Sequence, residues 1–260
     1  MINSLNPKIS NWHNKSVWLI GASTGIGLSC AIHLHSLGAK VAVSARGVDK
    51  IDQSISISPN FMTVQMDVLD QKSVETAFEQ VKTHQGIDMV VYCAGHYLAQ
   101  SATNYNVDEM FKHNDVNYLG LCRVLSHILN PLLIQGFGHI SIISSVAGFS
   151  GLPMSLAYGP TKAALINLSE SMYFDLHEKG IGVSLVNPGF VETPLTAQNK
   201  FHMPAIITPN QAAVEMIRGW ERGEFEIHFP KRFTNVLKFL RLLPYSLYFK
   251  WVAKATQNGH

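Results

Sequence analysis

A five-residue apolar run, Ser16–Ile20 (SVWLI), meets Gly21-Ala22-Ser23-Thr24-Gly25-Ile26-Gly27, and a helical pattern then runs to Leu37. This junction constrains the fold more than anything else in the chain. A short continuous apolar run has the length of a buried strand. Gly38 stops the helix. Lys40–Ala45 (KVAVSA) reads as a second strand, which completes a βαβ unit of a parallel sheet.

The alternation continues to residue 229. Strands are expected at Phe61–Gln65, Asp88–Tyr92, His139–Ser144, Gly182–Val186 and Glu224–Phe229. Helices are expected at Gln71–Thr83, Asp108–Leu133 (ending near Pro131), Leu156–Glu178 and Pro209–Arg222. Residues 1–14 form a polar lead-in, and no repeat or linker interrupts the pattern. Seven strands separated by helices imply an α/β protein, a doubly wound parallel sheet in one domain, 1–230. Residues 231–260 are extra to it, a basic, aromatic-rich C-terminal helical extension.

Composition excludes several classes. Hydrophobic residues are 47% and charged residues 15% of 260, enough for a core and too apolar for global disorder. A net charge of +2 does not suggest a nucleic-acid binder. Cys30, Cys93 and Cys122 are sparse, odd in number and form no CxxC, which fits buried thiols in a reducing compartment. The N-terminal stretch lacks a basic region followed by an apolar one, and no window has about 18 uncharged apolar residues. A cytoplasmic protein is therefore expected. The twelve histidines show no HExxH or other clustered ligand spacing, so no metal site is expected. His33 and His35, on the first helix, are expected to be exposed.

A glycine loop between strand and helix offers backbone N–H groups and a helix N-terminus to a pyrophosphate. Its spacing is G-x-x-x-G-x-G. The second strand ends Ser44-Ala45-Arg46, with no acid to bind a ribose 2′-hydroxyl. Arg46 instead has the planar fork that suits a 2′-phosphate, although Asp49 lies nearby. This favours NADP(H) over NAD(H). Tyr158 and Lys162 are four residues apart, on one face of a helix. A phenol with a pKa near ~10 is a poor acid–base at neutral pH, and a lysine one turn away favours the phenolate. Ser145, thirteen residues earlier at a strand end, can meet that phenol over one carbonyl.

With these motifs in this order, the chain resembles the classical short-chain dehydrogenase/reductase family over roughly residues 15–230. The resemblance rests on Gly21/Gly25/Gly27, Asp67-Val68, Ala94-Gly95, Asn117, Ser145, Tyr158, Lys162 and Pro188-Gly189-Phe190-Val191-Glu192-Thr193. It implies a Rossmann-type sheet and an NAD(P)(H)-dependent oxidoreductase acting on a carbonyl or alcohol. Gly21, Ser23, Thr24, Gly25, Ile26 and Gly27 would cradle the cofactor, with Ala94, Gly95, Pro188 and Gly189 also beside it. Asp67 would contact the adenine amino group, with Val68 beside the ring. Val191 and Thr193 would hold the carboxamide. Tyr158 would be the acid–base, Lys162 would lower its pKa and hold the ribose, Ser145 would polarise the carbonyl, and Asn117 would hold a water linking Lys162 to solvent. Two departures stand out: Ile20 replaces the threonine before the first glycine, and Tyr92-Cys93 replace two asparagines before Ala94-Gly95.

Phe190, Leu195, Phe201 and Met203 make the segment around and after Thr193 apolar, and Met154 also falls in a loop bordering the substrate in this family. A hydrophobic small-molecule ketone, aldehyde or alcohol is the expected partner, with a homodimer or homotetramer joined through the helices Asp108–Leu133 and Leu156–Glu178. The competing readings are a noncatalytic dinucleotide sensor or scaffold and a membrane-surface lipid-processing reductase; retention of Tyr158, Lys162, Ser145 and Asn117 decides against the first. No Asp or Glu follows Glu226, and residues 231–254 combine six cations with a broad apolar stripe broken by Pro244. That stripe suits peripheral contact with an anionic membrane, or packing on the domain or a sister subunit.

Overall fold

The computed structural model describes residues 4–48, 51, 58–199 and 203–257. Asp49 and Phe201 lie outside the described residues. Seven parallel strands form one sheet: β1 (Ser16–Ile20), β2 (Lys40–Ala45), β3 (Phe61–Gln65), β4 (Met89–Tyr92), β5 (Gly138–Ile143), β6 (Ile181–Pro188) and β7 (Glu226–Phe229), in the order β3-β2-β1-β4-β5-β6-β7. The helices are α1 (Gly25–Ser36), α2 (Gln71–Gln85), α3 (Val107–Asn114), α4 (Gly120–Gln135), α5 (Tyr158–Leu176), α6 (Pro209–Arg222), α7 (Lys231–Leu240) and α8 (Tyr245–Gln257).

The strands are apolar runs because both faces are covered. Alternate residues of β1 enter different cores: Val17 and Leu19 pack on the α1/α6 side, Trp18 and Ile20 on the α2/α4/α5 side. Buried indole nitrogens are satisfied within the sheet, Trp18 by Ser44 at 2.8 Å and Trp220 by Ser141 at 3.0 Å.

Several expectations are corrected. The long helix expected over Asp108–Leu133 is two helices joined by a π-helical turn, Asp115–Leu119. It also runs past Pro131 to Gln135 and stops at Gly136, whose φ of 73° is left-handed. A proline φ is compatible with helix, so Pro131 removes one hydrogen bond without ending the element. The polar lead-in is anchored. Asn6 is buried, donating to the Val183 carbonyl at 2.8 Å and accepting from its N–H at 3.0 Å, as a neighbouring strand would. Trp12 packs edge-on against Trp220. His33 and His35 are half-buried, because α1 packs against α6 and the sheet: His33 meets Asn210, and His35 stands edge-on to Phe61.

Candidate active site

In a parallel sheet all strand ends of one kind lie on one side, and a crevice opens where the strand order reverses. Here the reversal falls between β1 and β4. The glycine loop leaves β1 at this point. Gly21 has φ +75°, and a Cβ there would run into the Ala94 backbone after β4. Gly25 has φ +59° and closely faces Thr193, while a Cβ on Gly27 would stand 2.8 Å from Ala22. Thr24 caps α1 without a side-chain hydrogen bond, and the first turn carries no acid. The N-terminal N–H groups are therefore left to an anionic group.

The same cleft is lined by Gly21, Thr24, Gly25, Ile26, Gly27 and Gly95 on one side, and by Ser145, Tyr158, Lys162, Pro188, Gly189, Val191 and Thr193 on the other. Ala94 sits against Gly21. Ser23 lies in the loop but is not part of the cleft wall. Arg46 is exposed just beyond β2, and Asp67 and the buried Val68 follow β3, so these three lie outside the cleft on the adjacent strand ends. Asp67 makes a local turn, accepting from Leu69 N–H at 3.0 Å.

Tyr158 begins α5, which puts Lys162 one turn on and facing inward. The phenol hydrogen-bonds Ser145, which lowers its pKa, but burial dominates and holds it well above the ordinary range. Lys162 is buried, donates to the Ile143 carbonyl at 2.9 Å, and lies 5.4 Å from the centre of the Tyr158 ring. Desolvation pulls its pKa down to about 8. The expected depression of the phenol by Lys162 does not appear in this structure: the lowering comes from Ser145, and the ammonium engages the Ile143 carbonyl rather than the hydroxyl. Tyr97 and His113 stand edge-on to the Tyr158 ring, at 5.0 and 6.5 Å.

Asn117 sits in the π turn, fully buried. Its Oδ1 accepts from His96 N–H at 2.7 Å, and its amide donates to the His96 carbonyl and to Thr161. The Asn117 side chain thus joins the loop after β4 to α5. A Cβ on Gly95 would lie 3.8 Å from Asn117 Oδ1 and 4.0 Å from Lys162 Nζ. The Tyr92 departure also has a role: its hydroxyl donates to Val116 in the π turn at 2.6 Å. Burial pushes the Cys93 thiol up to about 12, which fits packing rather than reactivity.

Sequence reasoning missed several supports. Ser144 donates to the Lys162 carbonyl at 2.7 Å. A Cβ on Gly148 would press on the Lys162 and Ala163 backbone, so the turn after β5 can approach α5 closely. His96, Glu109 and His113 gather beside Tyr158 with ligand-capable atoms within 4.8 Å of one another. The His113 nitrogens are already engaged, with the Glu109 carbonyl at 2.6 Å and Leu98 N–H at 3.0 Å, and His96 meets Glu109 at 2.7 Å. The trio therefore ties the loop after β4 to α3. Only the Glu109/His113 spacing, i and i+4, hinted at it.

The family model for short chain dehydrogenase matches residues 15–203. The chain belongs to the short-chain dehydrogenase family. An uncharacterized oxidoreductase of Myxococcus xanthus is 29% identical over 90% of this chain and 94% of its own length. An uncharacterized oxidoreductase of Staphylococcus epidermidis is 34% identical over 70% of this chain and 80% of its own. A short chain dehydrogenase from Burkholderia cenocepacia, solved in complex with NADP, shares the fold at a TM-score of 0.81 over 92% of this chain and 98% of that one, at 20% identity. As a short-chain dehydrogenase, the chain is an NAD(P)-dependent oxidoreductase acting on a small molecule.

Proposed function

We propose that this short-chain dehydrogenase interconverts a hydrophobic ketone or aldehyde and its alcohol, using NADP(H) in preference to NAD(H). The reading rests above all on one observation: Tyr158, hydrogen-bonded to Ser145 and covering Lys162, shares a cleft with the glycine loop. The cradle fits a dinucleotide, because Gly21, Gly25 and Gly27 leave the space that side chains would fill. When bound, the nicotinamide supplies or accepts the hydride. In reduction, Ser145 orients the carbonyl and Tyr158 donates its phenolic proton to the developing alkoxide oxygen. In oxidation, the Tyr158 phenolate takes the proton from the alcohol hydroxyl. Lys162, as ammonium, stabilises the phenolate and holds the ribose; its lowered pKa reflects the dry site that also strengthens this attraction. Asn117 positions the β4 loop and α5 and keeps open the route by which Lys162 exchanges protons with solvent.

Arg46 carries the cofactor preference, being exposed at the end of β2 with no acid in its place. Asp67, Val68, Ala94, Pro188, Val191 and Thr193 complete the cofactor contacts. Leu195, half-buried, and Met154 and Leu98, both exposed, give the mouth an apolar rim. Phe174, Ile134 and Phe111 are exposed on α5, α4 and α3, which supports self-association through these helices as a dimer or tetramer. The functional division is a catalytic domain, 1–230, and an extension, 231–260. The test is a substrate screen following NADPH absorbance, with Tyr158→Phe as the blank. Turnover of apolar carbonyls by the wild type and none by the variant is expected; equal turnover by both overturns the reading.

A further inference from the structure

The two C-terminal helices, α7 and α8, turn different faces to their surroundings. Inward, the Phe233 ring packs tilted against Phe190 at 5.7 Å, and Thr234 is buried against His228. Tyr248 is buried and donates to the Gly151 carbonyl at 2.7 Å, with Val252 buried one turn on. These anchors fall on both loops that border the active site, the one carrying Gly189–Thr193 and the one between Ser145 and Tyr158. The two helices are therefore fastened beside the substrate mouth.

Outward, they carry large apolar side chains in water. Leu242 is 80% exposed and Tyr245 78%, with Phe239, Phe249 and Trp251 near 60%. A packed terminal helix would hide such residues. On α8, successive residues turn by about 100°, so with Tyr248 and Val252 inward, Lys250 and Lys254 point away from the domain. Phe249, with Tyr245 stacked on it, lies to one side of them, and Leu247 and Trp251 to the other. Arg232 and Arg241 add charge near Phe239 and Leu242. Of the six cations in 231–254, only Lys238 has an ion-pair partner among the described residues, Glu226. No acidic residue follows Glu226.

We propose that this face docks on an anionic lipid bilayer. Aromatic rings beside lysines and arginines match the headgroup layer, where rings settle at the interface and cations meet phosphates. A second copy of the same face would bring like charges together with no acid to offset them. Among the described residues no helix is long and apolar enough to cross a membrane, so the contact is peripheral. With the proposed function, on which this corollary alone rests, docking would set the mouth against the layer in which an apolar carbonyl dissolves.

Co-sedimentation of the full chain with phosphatidylglycerol/phosphatidylcholine vesicles tests this, using phosphatidylcholine vesicles as the comparison. Binding to the anionic vesicles and release by about 0.5 M NaCl are expected. Each cation near such a surface is worth roughly a fivefold gain in partitioning, so Lys250→Glu/Lys254→Glu should bind at least tenfold more weakly. Phe249→Ser/Trp251→Ser should also lose binding. All four positions are exposed, and an unchanged circular dichroism spectrum confirms that the variants fold. Equal binding to neutral vesicles, no binding by the wild type at low salt, or undiminished binding by both variants overturns the proposal. So does a variant that, without lipid, converts a dimer to a monomer, which would make the face a subunit interface. Sedimentation needs neither cofactor nor substrate, so its failure and a failure of the oxidoreductase reading are distinguishable.

Discussion

The cleft at the strand ends and the C-terminal helices beside it are built from the same residue types, aromatic rings and lysines. In the cleft, Lys162 is enclosed, its ammonium is held by the Ile143 carbonyl, and desolvation lowers its pKa to about 8. On α8, Lys250 and Lys254 stand in water beside the exposed rings of Phe249 and Trp251. Enclosure makes each atom matter, because removing water strengthens every charge and leaves no slack for a misplaced group. Exposure makes no single residue indispensable to the fold and leaves the face available to a surface. The difference is one of surroundings, not of side chain.

The strongest way to sharpen that contrast is Tyr158→Phe. The ring and its packing remain but the proton donor is gone, so turnover should fall by roughly 10²–10⁴-fold. Fluorescence titration of NADPH should show nearly unchanged affinity. Gly21→Ala should come next, measured by urea unfolding. A methyl group at φ +75° meets the Ala94 backbone, and a cost of about 3 kcal/mol or more is expected.

His139 tests enclosure by pH. It is buried, close to Ser184, and burial lowers its pKa from 6.5 to about 4. Between these values the unfolded chain binds a proton that the folded one refuses. Its contribution is therefore present above pH ~6.5 and lost on acidification to pH ~4, by about 3 kcal/mol. Urea unfolding of wild type and His139→Asn across this range should show the variant losing less; parallel curves would break the assignment. Arg46→Ala should weaken NADPH binding by roughly ten- to a hundredfold and NADH much less. Equal losses would remove Arg46 from cofactor selection. Trp251→Ser should change unfolding free energy by no more than about 0.5 kcal/mol. A larger loss would mean the Trp251 ring is part of the core, and the contrast would fail.

What could be read along the chain follows the range of each interaction. Bounds expected for the first three strands, Ser16–Ile20, Lys40–Ala45 and Phe61–Gln65, agree with the structure. A strand covered on both faces must be an apolar run whatever its neighbours are. Tyr158 and Lys162 were legible for a similar reason, since helix geometry alone puts residues i and i+4 on one face. Their convergence with Ser145 and the glycine loop follows once the parallel order is known.

Tertiary structure decided the rest, where the partners are far apart in sequence and meet only through packing. Asn6 pairs with Val183 across 177 residues, so a polar lead-in carried no local sign of burial. The π turn depends on Tyr92 reaching Val116 and on Asn117 reaching both His96 and Thr161; periodicity alone reads straight through it as one helix. His96 joins Glu109 and His113 only because the loop after β4 folds back onto α3. The chain by itself determined that residues 231–254 carry a basic, apolar pattern. Only docking through Phe233 and Tyr248 decided which side of that pattern is spent inside the protein and which is left in water, because burial belongs to the surface a side chain meets and not to the side chain.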